Sequence, residues 1–180
     1  MNKYLTPRFM FISSLILLAA LTRLIPHLYN FTAIAGIALF GGAKFNNKFL
    51  SFGIPLFAMF ITDAIIGFHS QMMVVYSCFA FTVLLGWMIR NRQNVLSVVS
   101  ASLFSSIVFY LVTNFAVWPG NPAYAQNLSG LMTSYFAGIP FFRNELLGDL
   151  FFNTVLFGGF YIAQLRFPFL SNPDLGQVKN

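Results

Sequence analysis

A set of polar and aromatic side chains that could contact a ligand is scattered through a sequence that is otherwise strongly apolar. The set comprises Arg23, His27, Asn30, Asp63, His69, Asn114, Trp118, Tyr124, Arg143, Glu145 and Asp149. Charged groups can pair with a ligand, amides can donate and accept hydrogen bonds, and aromatic rings can stack on it. We therefore take these side chains as candidate substrate-binding residues.

Catalysis is not expected from this set. The sequence has neither a Gly-x-Ser-x-Gly nucleophile elbow nor a His-Glu-x-x-His metal-binding helix. An intramembrane enzyme that uses Asp63 and Asp149 as a carboxylate pair is an alternative, although no known motif surrounds either residue. Cys78 is the single cysteine and Cys/His metal spacings are missing, so no disulfide, metal ion or cofactor is expected.

The composition indicates that the elements holding these residues lie in a lipid bilayer. The 180-residue chain is 58% hydrophobic and only 8% charged, whereas soluble domains carry about 25% charged residues. Its net charge of +6 comes from basic residues that stand singly between apolar runs. The sequence therefore has no stripe of basic residues that could follow a phosphate backbone, and no nucleic-acid partner is expected.

The apolar runs predict one all-α domain over residues 1–170, a bundle of six transmembrane helices. Each span needs about 20 residues to cross a bilayer core of roughly 30 Å. The predicted spans are 9–25, 31–45, 49–68, 72–89, 95–118 and 144–165, with a polar cytoplasmic tail at 171–180. The second span is short and rich in glycine and alanine, which predicts packing inside the bundle.

Two further features of the chain qualify this arrangement. A turn-rich loop after Trp118 and an apolar segment from Leu128 predict an interfacial or re-entrant helix that ends at Pro140. The first span also resembles a signal peptide, and its removal would leave five spans with the same remaining topology.

Positive charges predict the orientation of the bundle. Most of the ten lysines and arginines fall on one side of the six spans. That side collects Lys3, Arg8, Lys44, Lys48, Arg90, Arg92, Arg166 and Lys179. Because basic residues are enriched in cytoplasmic loops, both termini are predicted to be cytoplasmic.

This orientation predicts that the costly polar groups gather in the outer half of the bundle. Two roles are considered for Asp63: a ligand contact, or the partner of Arg23 or Arg143 in a buried ion pair that holds helices together. Glu145 and Asp149 are four residues apart and share one helix face. They are either binding groups or an interfacial carboxylate pair in water.

Several motifs carry a resemblance to a known family. They are the run from Arg23 to Thr32, the run from Ala38 to Ala43, Thr62-Asp63 with Gly67-Phe68-His69, Thr113 to Trp118, and Ile139 to Phe142 followed by Asn144 and Gly148-Asp149. The chain resembles a family of bacterial six-span membrane proteins that has no assigned activity. By size and topology it is also similar to the substrate-binding S components of energy-coupling-factor (ECF) vitamin transporters.

The second resemblance implies a function. S components are six-helix proteins of the bacterial cytoplasmic (inner) membrane that hold a vitamin or metal near the outer face. A transmembrane coupling protein and two ATPases drive the uptake. A metal substrate is not expected here, because the histidine-rich N-terminus of the nickel and cobalt binders is missing. The resemblance thus implies a vitamin-like small molecule.

The leading hypothesis is therefore a small-molecule binding component for uptake. In it Arg23 and Arg143 meet an anionic group, and Asp63 and Asn114 supply polar contacts. Aromatic stacking is expected from Trp118, Tyr124 and Tyr135, with the loop 120–142 as a lid. The alternative is a structural or assembly protein whose outer polar cluster is an internal salt-bridge network.

Overall fold

The computed structural model describes residues 6–171, so the predicted tail lies outside the described residues beyond Ser171. The helices are α1 (Pro7–Leu21), α2 (Ile34–Lys44), α3 (Lys48–Ile66), α4 (Met72–Ile89), α5 (Val95–Val117), α6 (Leu128–Asn153) and α7 (Gly159–Arg166). A π-helical turn, Thr154–Gly158, joins α6 to α7, and 3-10 turns lie at Thr22–Leu24 and Pro168–Leu170. Residues 6–171 contain no β-strand, which confirms the predicted all-α fold class.

Side-chain caps fix where several of these helices begin. The side chains of Thr6, Asn47, Asn94 and Asn127 each accept a backbone N–H from the first turn of α1, α3, α5 and α6. Such caps satisfy donors that have no partner inside the helix. At the other end of α3, Gly67 has a φ of 114°, a conformation that favours glycine and stops the helix.

Within residues 6–171, five helical stretches are long and apolar enough to cross a membrane. They are Pro7–Leu24, Lys48–Ile66, Met72–Ile89, Val95–Val117 and Leu128–Arg166. Their outward faces carry large exposed apolar side chains such as Leu18, Phe49 and Met88. A surface of this kind indicates a multi-pass membrane protein, since lipid, unlike water, solvates it.

Helix α2 lies at the centre of the bundle. It contacts α1, α3, α4, α5 and α6, and every residue from Ile34 to Ala43 is buried. The prediction that this segment packs inside the bundle is confirmed. With 11 residues, α2 is only about 16 Å long, so it is too short to cross a bilayer core as a straight helix.

Facing glycines bring α2 and α4 close together. A Cβ atom added to Gly42 would lie 2.2 Å from the carbonyl oxygen of Val83, and one added to Gly86 would lie 2.2 Å from that of Leu39. These distances leave no room for any side chain. The small residues of α2 therefore serve helix packing, as membrane helices commonly use them.

The last membrane segment differs from the prediction. Pro140 does not end a helix but lies inside α6, which runs on through the π-helical turn into α7. The predicted interfacial helix and the predicted span 144–165 are thus parts of one stretch, Leu128–Arg166. Proline is tolerated at such a position because membrane helices can satisfy the freed carbonyl locally.

The two ends of the bundle differ in character. At the end that carries the α2–α3 turn, the guanidinium of Arg8 donates to the carbonyls of Leu170 and Lys44, and Lys44 donates to the amide oxygen of Gln93. Gln93 in turn donates to the carbonyl of Ala43 at 2.9 Å. This network, the basic clasp, ties the start of α1 to the end of α2 and to the α4–α5 turn. The opposite end carries the α3–α4 turn and the candidate site.

Candidate functional site

A cavity of about 230 Å³ lies at the α3–α4 end of the bundle. Its lining consists of Arg23, Asn30, Thr32, Ile34, Ala35, His69, Val75, Phe79, Phe109, Glu145 and Asp149. The space exists because α2 is short. Its first residues, Ile34 and Ala35, form part of the lining, while α4, α5 and α6 continue past them toward the end of the bundle.

Arg23 takes part in an ion pair beside this cavity. Its guanidinium donates to Oδ1 of Asp63 at 2.6 Å and to the hydroxyl of Thr62 at 2.6 Å. The hydroxyl of Tyr76 donates to the other carboxylate oxygen of Asp63 at 2.8 Å. Asp63 is thereby satisfied on both oxygens, and it is fully buried. Of the two roles considered for Asp63, the structure places it in the ion pair with Arg23 and outside the cavity lining.

Glu145 and Asp149 stand on the α6 wall of the cavity, on one helix face as their spacing predicts. Glu145 is only 7% exposed and Asp149 1% exposed. Oδ2 of Asp149 accepts a hydrogen bond from Ser106 at 2.7 Å. Glu145 has no hydrogen-bond or ion-pair partner among residues 6–171, and its carboxyl oxygens are not fully enclosed by protein, so they are open to the cavity.

Asp149 lies deeper in the bundle than the sequence predicts. Its partner Ser106 is midway along α5, between Val95 and Val117. Polar contacts continue below it, where the amide of Asn153 donates to the hydroxyl of Ser102 at 3.0 Å. The amide oxygen of Asn153 is buried without a partner in the described part of the chain. The polar groups therefore reach from one end of the bundle to its middle.

The remaining walls of the cavity are apolar. Phe79 of α4 and Phe109 of α5 lie with ring centroids 5.4 Å apart and an interplanar angle of 33°. Val75 and Ile34 extend this surface toward α2. A few carboxyl groups set among apolar and aromatic side chains are the usual make-up of a small-molecule site.

Three predicted site residues lie away from the cavity, near the α5–α6 connection. Asn114 packs so closely on α6 that a Cβ on Gly138 would lie 2.2 Å from its amide oxygen, and its amide nitrogen donates to the carbonyl of Tyr110. The indole of Trp118 donates to the carbonyl of Ala125 at 2.8 Å. Tyr124 belongs to the same loop. The side chains of Asn114 and Trp118 thus link α5 to α6 and to the loop.

Two charged or titratable candidates also remain outside the cavity. His27 is exposed, with Nδ1 2.9 Å from the carbonyl oxygen of Leu28. Arg143 is exposed on α6 and makes no ion pair with a described residue. The predicted lid at 120–142 contributes nothing to the cavity lining, and neither does Tyr135. Arg143 and Tyr135 therefore lie outside the cavity lining.

The structure brings together Arg23, Asn30, His69, Glu145 and Asp149 from the predicted set, and it adds residues that the sequence did not single out. Among the additions are Thr32, Val75, Phe79, Phe109 and Ser106. The apolar ones resemble every other lipid-facing or core position in the sequence. Ser106 carried a weak signal, since it lies in a serine-rich stretch of an apolar helix.

No group of three or more His, Cys, Asp or Glu side chains in residues 6–171 is placed to hold a metal ion. The polar groups of the cavity can instead bind hydrogen-bond donors or a positive charge, and its apolar walls can cover a ring or a short alkyl chain.

Comparison with known proteins identifies the chain at the level of a family. The chain belongs to a family of unknown function, DUF6580, whose profile matches residues 3–170. No curated protein and no solved structure matches it. The predicted membership of a family without an assigned activity is confirmed, whereas no comparison shows a resemblance to S components.

Proposed function

We propose that this member of the family is a membrane-embedded binding component for the uptake of a small, vitamin-like molecule. The observation that carries the proposal is the cavity in which the largely buried side chains of Glu145 and Asp149 face apolar walls. Burying a carboxyl group without a partner costs free energy, and a bound ligand is one source of compensation.

The size of the cavity limits the ligand. At about 230 Å³ it exceeds the roughly 150 Å³ engineered cavity that accommodates benzene and falls below the roughly 300–1,000 Å³ of drug-sized sites. It fits a single ring or a short chain with one or two polar groups. A larger molecule would need the loop at 25–33 to move aside.

The proposed topology has six passes of the chain and both termini in the cytoplasm of a bacterial cell, as in an S component. The short α2 and the loop before it together make the second pass. The basic clasp and the neighbouring lysine and arginine residues would lie at the cytoplasmic end, because positive charge favours that side. The cavity would then open to the outer face. An ECF-type transmembrane coupling protein with two ATPases would supply the energy for uptake.

A second candidate function is favoured by the ion pair. Arg23, Thr62, Asp63 and Tyr76 form an internal network that is satisfied without a ligand. That is the arrangement expected of a structural or assembly protein. In this alternative the cavity is a packing defect, and crosslinking in the membrane would find a fixed protein partner.

Thermal unfolding of the purified protein with a panel of vitamins and nucleobases tests the proposal. At least one compound should raise the unfolding temperature in a saturable way. Val75→Trp should abolish the rise because it fills the cavity, whereas Val74→Trp, next to it on α4 but outside the lining, should preserve it. If no compound stabilises the protein and no ATPase copurifies with it, the uptake function is refuted.

A further inference from the structure

The described acidic residues are all buried near the cavity, and their positions indicate which ligand charge the cavity favours. The chain has only four aspartate and glutamate residues. Three of them, Asp63, Glu145 and Asp149, fall among residues 6–171, and all three are buried at the α3–α4 half of the bundle. Among these residues one ion pair forms, and it joins Arg23 to Asp63.

Within the described part of the chain, neither Glu145 nor Asp149 forms an ion pair. The guanidinium of Arg23 is held by Asp63 and Thr62, so the charges of that pair largely cancel at the cavity. Arg143 is exposed and outside the lining. His69 is the other basic group in the lining, and it lies in the exposed α3–α4 turn.

One positive feature opposes the carboxyl groups. The first turn of α2 lies in the cavity lining and has no side-chain cap, so its free N–H groups contribute to the field there. A helix N-terminus is equivalent to roughly half a positive charge. Either carboxyl group outweighs this half charge once it is ionised, and low local polarity strengthens the attraction of that charge for a cation.

We propose that the cavity selects a small nitrogen cation, with Glu145 and Asp149 as its charged contacts and Phe79 and Phe109 beside its apolar part. This inference rests on the proposed binding function and reverses the sign of the ligand charge expected from the sequence. An ammonium or protonated heterocycle would pair with the buried carboxyl groups. Its ring or chain would lie against aromatic side chains, whose faces attract cations.

Three one-ring probes of similar size separate the possible charges of the ligand. Benzylamine is a cation near neutral pH, benzyl alcohol is neutral and benzoate is an anion. We expect benzylamine to stabilise the detergent-solubilised wild-type protein at concentrations about tenfold lower than benzyl alcohol, since one charge-assisted contact is worth about that factor. Benzoate should give no saturable shift.

Conservative variants then test the assigned residues. Glu145→Gln and Asp149→Asn should each remove most of the preference for benzylamine over benzyl alcohol. Arg143→Gln, which changes an exposed charge on the same helix, should leave all three responses unchanged. Two carboxyl variants are used so that poor folding of one does not decide the result.

The outcomes distinguish this inference from the function on which it rests. Stronger binding of benzoate, or equal binding of benzylamine and benzyl alcohol, would overturn the cation preference but leave a binding site. A benzylamine preference that survives both carboxyl variants would also overturn it. If neither these probes nor any compound of the vitamin panel stabilises the wild-type protein, the binding function fails together with the inference.

Discussion

The ion pair between Arg23 and Asp63 makes a strong prediction about stability. Asp63→Asn removes the negative charge while keeping the side-chain shape. It leaves Arg23 as an uncompensated cation whose side chain is only 15% exposed. It also exchanges the charged acceptor of the Tyr76 hydroxyl, 2.8 Å away, for a neutral one.

The magnitude follows from the burial of the two partners. Breaking a buried ion pair by removing one partner costs about 3–5 kcal/mol, because the other charge stays desolvated. The Arg23 side chain retains some access to the cavity and can move toward it, so the lower end applies. We expect the free energy of unfolding to fall by about 3 kcal/mol.

A double-mutant cycle isolates the pair. Arg23→Met should destabilise the protein by a similar amount, since it leaves the buried Asp63 carboxylate unpaired. The double variant should lose clearly less than the sum of the single variants, with a coupling energy of about 2 kcal/mol. Denaturant-induced unfolding in mixed micelles measures all four proteins. Strictly additive losses, or an Asp63→Asn variant within about 0.5 kcal/mol of wild type, would refute this account of the ion pair.

Three further changes probe the packing and polar contacts. Gly42→Ala should destabilise the bundle by at least about 1–3 kcal/mol in the same unfolding assay, because its Cβ meets a facing backbone carbonyl at 2.2 Å. Gly53→Ala, where a Cβ meets nothing within 4 Å, is the matched control and should be neutral or stabilising. Ser106→Ala should cost about 1–3 kcal/mol by removing the donor to Asp149, and a loss below 0.5 kcal/mol would contradict that role. Gln93→Ala should lower the free energy of unfolding by about 1–2 kcal/mol, because it removes hydrogen bonds of the basic clasp. The unfolding temperature should fall, while compounds that bind the cavity should still stabilise the variant.

Much of the fold follows from the sequence because lipid imposes simple demands on it. Apolar runs bounded by Asn47, Asn94 and similar caps predict most helices to within a few residues. The small residues of α2 predict its central place. Pro140 misled the prediction because a proline that ends helices in water can remain inside one in a membrane.

The candidate site is only partly predictable for a different reason. The spacing of Glu145 and Asp149 places them on one face, and the scarcity of acids makes Arg23 or Arg143 the expected partner of Asp63. The depth of Asp149 depends on the axial register between α6 and α5, and this register brings Asp149 into contact with Ser106. No local pattern encodes that register, since both helices are apolar along most of their length.

The short central helix also constrains how the protein is made. Helix α2 has no lipid-facing side and is too short to anchor itself across a bilayer core. Helix α6 covers part of its surface and follows it in the sequence. The central core can therefore be completed only after α6 has been synthesised. Until α6 docks, α2 lacks one of its packing partners, and quality-control proteases would have their best access to the protein.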